Sequence, residues 1–152
     1  MLTLDATARG PVRGVGRLEL DLLGGWIVKK KIMVIEDDLA VLELLGTVLT
    51  EAGYAPILIP NSERIPERVM REKPDMILLD IVLQPAHGME VLSSLSELEF
   101  RPPIIMMSAA LRGVGEMGKI VRALGAEDFI EKPFDIRDLL SRIGNVLEKM
   151  AA

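Results

Sequence analysis

Short apolar runs, most of them ending on a polar or charged residue, constrain this chain more than any other feature. Ile32–Ile35, Tyr54–Ile59, Met76–Leu79 and Ile104–Met107 are continuous in apolar character rather than alternating, and Asp128–Ile130 is a shorter fifth run. Continuous runs mark strands buried on both faces, which occur in parallel sheets covered by helices. Stripes of helical period fall between them: Leu39, Leu42, Leu45, Val48 and Leu49; then Met89, Val91, Leu92, Leu95 and Leu98. Val114, Met117, Ile120, Val121 and Leu124 form another, and Ile136, Leu139, Leu140, Ile143, Val146 and Leu147 the last. Ser62–Lys73 is a weaker stripe that Pro66 is expected to break or tilt. Asp38 and Asp135 suit helix N-caps, Gly53 and Gly125 suit helix ends, and Pro56 points to an edge strand or a shorter one for the second run. Five strand–helix units joined by right-handed crossovers predict an α/β fold: a doubly wound, five-stranded parallel sheet with helices on both faces, (βα)5.

Composition narrows the chemistry. At 49% apolar residues the chain can bury a full core, and at 3% aromatic that core must be aliphatic, with methionine as filler. A net charge of −5 argues against direct nucleic-acid binding. With no cysteine there is no disulfide, no thiolate zinc site and no thiol nucleophile. The single histidine, His87, sits in a loop and reads as solvated rather than as a ligand. No apolar stretch reaches the length of about 18 residues that a membrane helix needs, and Asp5, Arg9 and Arg13 interrupt any secretory leader. The expectation is a cytoplasmic protein with no membrane partner. Residues 1–28, glycine-rich and basic in their middle, read as an arm separate from a domain at 29–152; the arm is flexible, or not native coding sequence, because Val28 before Lys29-Lys30-Lys31 resembles a translation start.

In doubly wound sheets the working groups collect beyond the C-terminal ends of the strands. Those ends here are Glu36-Asp37-Asp38, Asp80, Ser108 and Lys132. Converging carboxylates need a compensating cation. Lys132 supplies one charge, and oxygen-only ligands favour a hard ion such as Mg²⁺. A metal, an amine and a hydroxyl together suit the oxygens of a phosphoryl group in transfer, with a carboxylate as its acceptor. Glu36-Asp37-Asp38 alone would be an ordinary acidic helix start, Asp80 alone a turn residue and Lys132 alone a surface lysine; it is the set that points to chemistry.

Ile35-Glu36-Asp37-Asp38, Leu78-Leu79-Asp80-Ile81, Met107-Ser108-Ala109 and Glu131-Lys132-Pro133-Phe134 resemble the signature blocks of the two-component response-regulator receiver domain, a flavodoxin-like module of the chemotaxis type. Asp37 and Asp80 are 43 residues apart, Asp80 and Ser108 are 28 apart, and Ser108 and Lys132 are 24 apart, spacings similar to that family's. The resemblance covers about residues 30 to 150. It implies Asp80 as phosphoacceptor, and Mg²⁺, with Mn²⁺ as an alternative, held by Asp37, Asp80 and the Val82 backbone carbonyl with help from Glu36. It also implies Lys132 on the phosphoryl oxygens, Ser108 and Phe129 as a switching pair, and a cis-peptide turn at Lys132–Pro133. The implied donor is a sensor histidine kinase or phosphotransfer protein, and the implied output a downstream protein on the face of the fourth helix, fifth strand and fifth helix. In that reading the domain catalyses only its own phosphorylation and dephosphorylation.

Some positions depart from the family pattern. Gln84 stands where proline is frequent and Pro85 comes one later, while Gly88 keeps the expected glycine. The stretch from Ser108 to Lys132, with Gly113, Gly115 and Gly118, is longer than usual, which predicts a mobile entry to the fourth helix. Val82 and Ala110 are apolar at positions that modulate dephosphorylation, which predicts a long-lived phosphoryl group. Asp128, Asp138 and Arg142 fall where receivers of DNA-binding regulators place dimer salt bridges, although Met117 replaces a basic residue of that pattern; a homodimer is one option for this face. Two competing readings are a haloacid-dehalogenase-type phosphatase, which would want a second acid where Val82 stands, and a docking receiver that is never phosphorylated.

Overall fold

The computed structural model describes residues 19–20, 27–109 and 114–151. Two-residue strands β1 (Glu19–Leu20) and β2 (Ile27–Val28) pair antiparallel, and the rest of the predicted arm lies outside the described residues. The domain then alternates strand and helix as β3 (Lys31–Ile35), α1 (Leu39–Glu51), β4 (Ala55–Ile59), α2 (Ile65–Glu72), β5 (Met76–Asp80) and α3 (Gly88–Ser96). It continues with β6 (Ile104–Ala109), α4 (Val114–Ala123), β7 (Asp128–Lys132) and α5 (Ile136–Ala151). The five strands β3–β7 form one parallel sheet in the order β4-β3-β5-β6-β7, so β4, with its Pro56, is an edge strand as expected.

Successive residues of each strand point to opposite faces, and the core splits accordingly. Ile32, Val34, Met76, Leu78, Ile105, Met107 and Ile130 pack against Leu42, Leu45 and Leu49 of α1 and Leu139, Ile143 and Val146 of α5. Met33, Ile35, Ile77, Leu79, Met106 and Phe129 pack against Ile65 and Val69 of α2, Val91, Leu92 and Leu95 of α3 and Val121 of α4. Both faces of β5 are covered, so every residue from Met76 to Asp80 is buried. That double burial is why β3, β5 and β6 read as unbroken apolar runs, whereas the edge strand β4 is only partly buried.

Local chemistry sets the helix boundaries. Asp38 caps α1 by accepting hydrogen bonds from the Ala40 and Val41 N–H groups at 3.0 and 3.3 Å. Gly53 and Gly125, past the ends of α1 and α4, take φ values of 93° and 109°, a region glycine enters without steric cost. Two expectations are corrected. Pro66 does not break the second helix: it lies in the first turn of α2, where its missing N–H costs nothing, and the helix starts only at Ile65. The third helix stops at Ser96, short of Leu98, whose N–H turns back onto the Leu95 carbonyl.

Candidate functional site

The chain leaves β3 for the edge strand β4 and returns across the sheet to β5, so the strand order reverses between β3 and β5. A crevice opens at such a reversal, beyond the C-terminal strand ends. Ile35 pairs with Leu79 in the ladder, which brings Glu36 and Asp37, just past β3, beside Asp80, the last residue of β5. Carboxylate oxygens of Glu36, Asp37 and Asp80 lie within 4.8 Å of one another. Lys132 closes β7 and reaches back across the sheet. Its Nζ donates to Glu36 Oε2 and, at 3.0 Å, to Asp80 Oδ2. The Lys132–Pro133 peptide bond is cis, and so is Gln84–Pro85.

Glu36 is 1% exposed and Asp80 5%, whereas Asp37 faces solvent. Burial pushes the Glu36 carboxyl up to about 7 from 4.5; the Lys132 bond and the Asp38 N–H pull it down, and the Asp80 carboxylate adds to the rise. Burial would lower the Lys132 ammonium, but its bonds to Glu36 and Asp80 outweigh that and raise it. The pocket therefore carries more negative charge than one amine neutralises. Three carboxylates with neither sulfur nor imidazole among them form a donor set that suits a small hard cation such as Mg²⁺.

The loop after Asp80 is tied to this cluster. The Val82 N–H donates to Asp80 Oδ1 at 3.1 Å, leaving the Val82 side chain exposed. Gly88, at the other end of the loop, passes so close to the end of β5 that a Cβ there would lie 2.1 Å from the Asp80 carbonyl oxygen and 2.7 Å from Ile81 Cα. Only glycine fits. Ser108 lies on β6, 1% exposed, and its hydroxyl donates to the Ala109 carbonyl at 3.2 Å rather than into the carboxylate cluster. Phe129 is buried on the face shared with Met106, Val121 and Met117. Ala110 and Gly113 lie outside the described residues.

Sequence reasoning missed two roles. His87 is exposed, as expected, yet it is not an idle loop residue: its Nδ1 accepts the Met89 N–H at 3.3 Å and caps α3. Asp128, Asp138 and Arg142, noted as dimer positions, bond one another within one chain. Arg142 reaches Asp128 at 3.0 Å and Asp138 at 3.1 Å, and Arg122 of α4 adds a bond to Asp128 at 2.9 Å. The i,i+4 spacing of Asp138 and Arg142 was the available signal for that pairing.

The response regulator receiver domain model matches residues 32–144, so the chain belongs to the receiver domain family of response regulators. It is 32% identical over 123 residues to the alkaline phosphatase synthesis transcriptional regulatory protein PhoP of Bacillus subtilis, covering 80% of this chain and 50% of that protein. It is 34% identical over 127 residues to the phosphate regulon transcriptional regulatory protein PhoB of Pseudomonas aeruginosa, covering 81% of this chain and 54% of that protein. The chain thus spans about half the length of either regulator. The BeF3-activated N-terminal receiver domain of Klebsiella pneumoniae RstA superposes with a TM-score of 0.71 at 30% identity, covering 78% of this chain and 98% of that one. Among the described residues no helix is long and apolar enough to cross a membrane.

Proposed function

We propose that this domain is a phosphorylation-dependent signalling switch whose phosphoacceptor is Asp80, in a Mg²⁺-dependent reaction. One observation carries the reading: at the reversal point of the sheet, the Lys132 ammonium bonds both Glu36 and Asp80, with Asp37 alongside. Asp37, Asp80 and the Val82 carbonyl would hold the metal, with Glu36 as an outer partner. Bound there, Mg²⁺ supplies the positive charge that offsets the phosphoryl oxygens.

The chain's own groups then have definite tasks. The Val82 N–H and Lys132 fix the two Asp80 oxygens, and one of these attacks phosphorus, forming an O–P bond. The bond from phosphorus to the donor breaks, and the donor keeps its electron pair. With a sensor histidine kinase or phosphotransfer protein that bond is P–N, and the imidazole is the leaving group. Lys132 shifts from Asp80 toward the new phosphoryl oxygens, a charge-assisted contact. Ser108, whose hydroxyl now only reaches its neighbour's carbonyl, turns toward the same oxygens. Phe129 moves into the room this leaves and disturbs Met117 and Val121 of α4, changing the face made by α4, β7 and α5 for a downstream protein. The setting is the bacterial cytoplasm, and the domain serves signalling rather than turnover of a metabolite.

Incubation with acetyl phosphate and Mg²⁺ tests this. The mass of one phosphoryl group is gained stoichiometrically, and the gain disappears in Asp80→Asn. Multiple turnover of a phosphate ester, or no labelling at all, refutes it.

A further inference from the structure

The loop Ile81–His87 joins the candidate acceptor to α3, and its middle is held by a residue from a different loop. Ser62 lies between β4 and α2 and is 6% exposed. Its hydroxyl oxygen accepts the Ala86 N–H at 2.7 Å, and its own backbone N–H donates to the Gln84 carbonyl at 3.1 Å. The two ends of the loop are tied independently: the Ile81 N–H bonds the Met107 carbonyl at 2.9 Å, and the Gly88 N–H bonds the Ile81 carbonyl at 2.8 Å. Ile81 and Leu83 are buried, whereas Val82 between them is exposed. Val82 is also the residue whose N–H holds Asp80 Oδ1.

We infer that Ser62 is a positioning residue for the phosphoacceptor: by holding Gln84 and Ala86 it sets the course of the loop and so the aim of the Val82 N–H and carbonyl. The inference rests on the reading of Asp80 as acceptor with Val82 in the metal site. Apolar packing anchors Ile81 and Leu83, and the Gly88 bond to the Ile81 carbonyl orients the peptide that carries the Val82 N–H. Neither sets the rotation of the Val82–Leu83 peptide, whose carbonyl belongs to the metal site. The two directional bonds to Ser62 restrict that rotation, because a hydrogen bond weakens steeply as its angle departs from linear. Removing the hydroxyl also strands the Ala86 N–H, which is costlier than losing an exposed bond.

The test compares wild type with Ser62→Ala, Ser62→Cys and Ser62→Thr. Cysteine keeps the size with only a weak acceptor, and threonine keeps the hydroxyl; the chain has no other cysteine to form a disulfide. Two readouts do not need phosphoryl transfer: amide exchange at Val82 and Ala86 by NMR, and the Mg²⁺ Kd from shifts of the same amides. The third is the rate of labelling by acetyl phosphate at saturating Mg²⁺. In folded Ser62→Cys and Ser62→Ala, both amides exchange faster and the Mg²⁺ Kd rises about fivefold, the equivalent of about 1 kcal/mol for one lost bond. Labelling slows, and Ser62→Thr restores all three readouts. Unchanged Mg²⁺ Kd and Val82 exchange in folded Ser62→Cys overturn the inference, and so does a Ser62→Thr protein that behaves like Ser62→Ala. If wild type binds Mg²⁺ but takes up no phosphoryl group, while Ser62→Cys still loosens Val82 and the metal, the positioning role stands and the acceptor reading falls.

Discussion

Replacing Glu36 by glutamine removes a buried charge from the metal-free site, and the resulting pH dependence can be worked out in advance. The Glu36 side chain is 1% exposed and faces Lys132, Asp80 and the Asp38 N–H, with Asp37 next to it in the cluster. Its carboxyl is raised to about 7 in the folded protein against 4.5 ordinarily. The folded state therefore binds the proton more tightly than the unfolded chain does. Between pH 4.5 and 7 the Glu36 contribution to stability falls as pH rises, and above 7 it is constant. At about 1.4 kcal/mol per pH unit, that interval amounts to about 3 kcal/mol. Glutamine does not titrate. Lys132, also raised, adds nothing in this window, because its stabilisation is complete below 10.5 and is lost only as pH rises beyond it. The assay is urea unfolding followed by circular dichroism, in EDTA, at steps between about pH 5 and 8. Subtracting the two curves cancels the groups that do not touch Glu36, and relative to wild type Glu36→Gln gains about 3 kcal/mol across the window. Parallel curves would refute the claim that burial, with the Asp80 carboxylate adding to it, raises the Glu36 carboxyl.

Other perturbations separate the scaffold from the site. Gly88→Ala sets a Cβ against the Asp80 carbonyl oxygen, and since that neighbour is backbone, urea unfolding should show a loss of more than about 3 kcal/mol. Asp128→Asn weakens the bonds from Arg122 and Arg142. Burial alone would raise the Asp128 carboxyl, but the Phe129 N–H and the two guanidinium groups hold it below 3.8. Its stabilisation, about 1 kcal/mol for a partly exposed pair, is therefore present near neutral pH and disappears as pH falls below 3.8 through the depressed value; a variant equally weakened at both pH extremes would contradict this. Mg²⁺ at a hundred times its Kd should stabilise wild type by about 2.7 kcal/mol in the same assay. Asp37→Asn should lose most of that gain.

Residues whose roles follow from pattern were legible without coordinates. The inner strands β3, β5 and β6 announce themselves because double-sided burial forces unbroken apolar runs, and the strand ends then locate Glu36, Asp37, Asp80, Ser108 and Lys132. The bond of Lys132 to both Glu36 and Asp80 was implicit in that placement, but the division of charge was not, since the rise at Glu36 depends on burial that only the packed sheet creates. Loop residues were the opaque ones. Ser62 and Ala86 are 24 residues apart and meet only because two loops fold onto one another, and no local period marks them. His87 looked idle because histidine is not among the residues that usually cap a helix N-terminus. Pro66 was misread for a related reason, since a proline breaks a helix or begins it according to a boundary that sequence places poorly. The Arg122–Asp128–Arg142 network joins three elements, and only its i,i+4 portion leaves a trace in the sequence.

The central claim is that Asp80 takes a phosphoryl group, and borohydride trapping tests it most directly. Acetyl phosphate and Mg²⁺ are added, the acyl phosphate is reduced, and the modified residue is located by peptide mass spectrometry. The account predicts reduction at Asp80 alone, dependent on Mg²⁺ and strongly diminished in Lys132→Ala. Modification at Glu36 or Asp37 instead, or none at Asp80 in protein that demonstrably binds Mg²⁺, would contradict it.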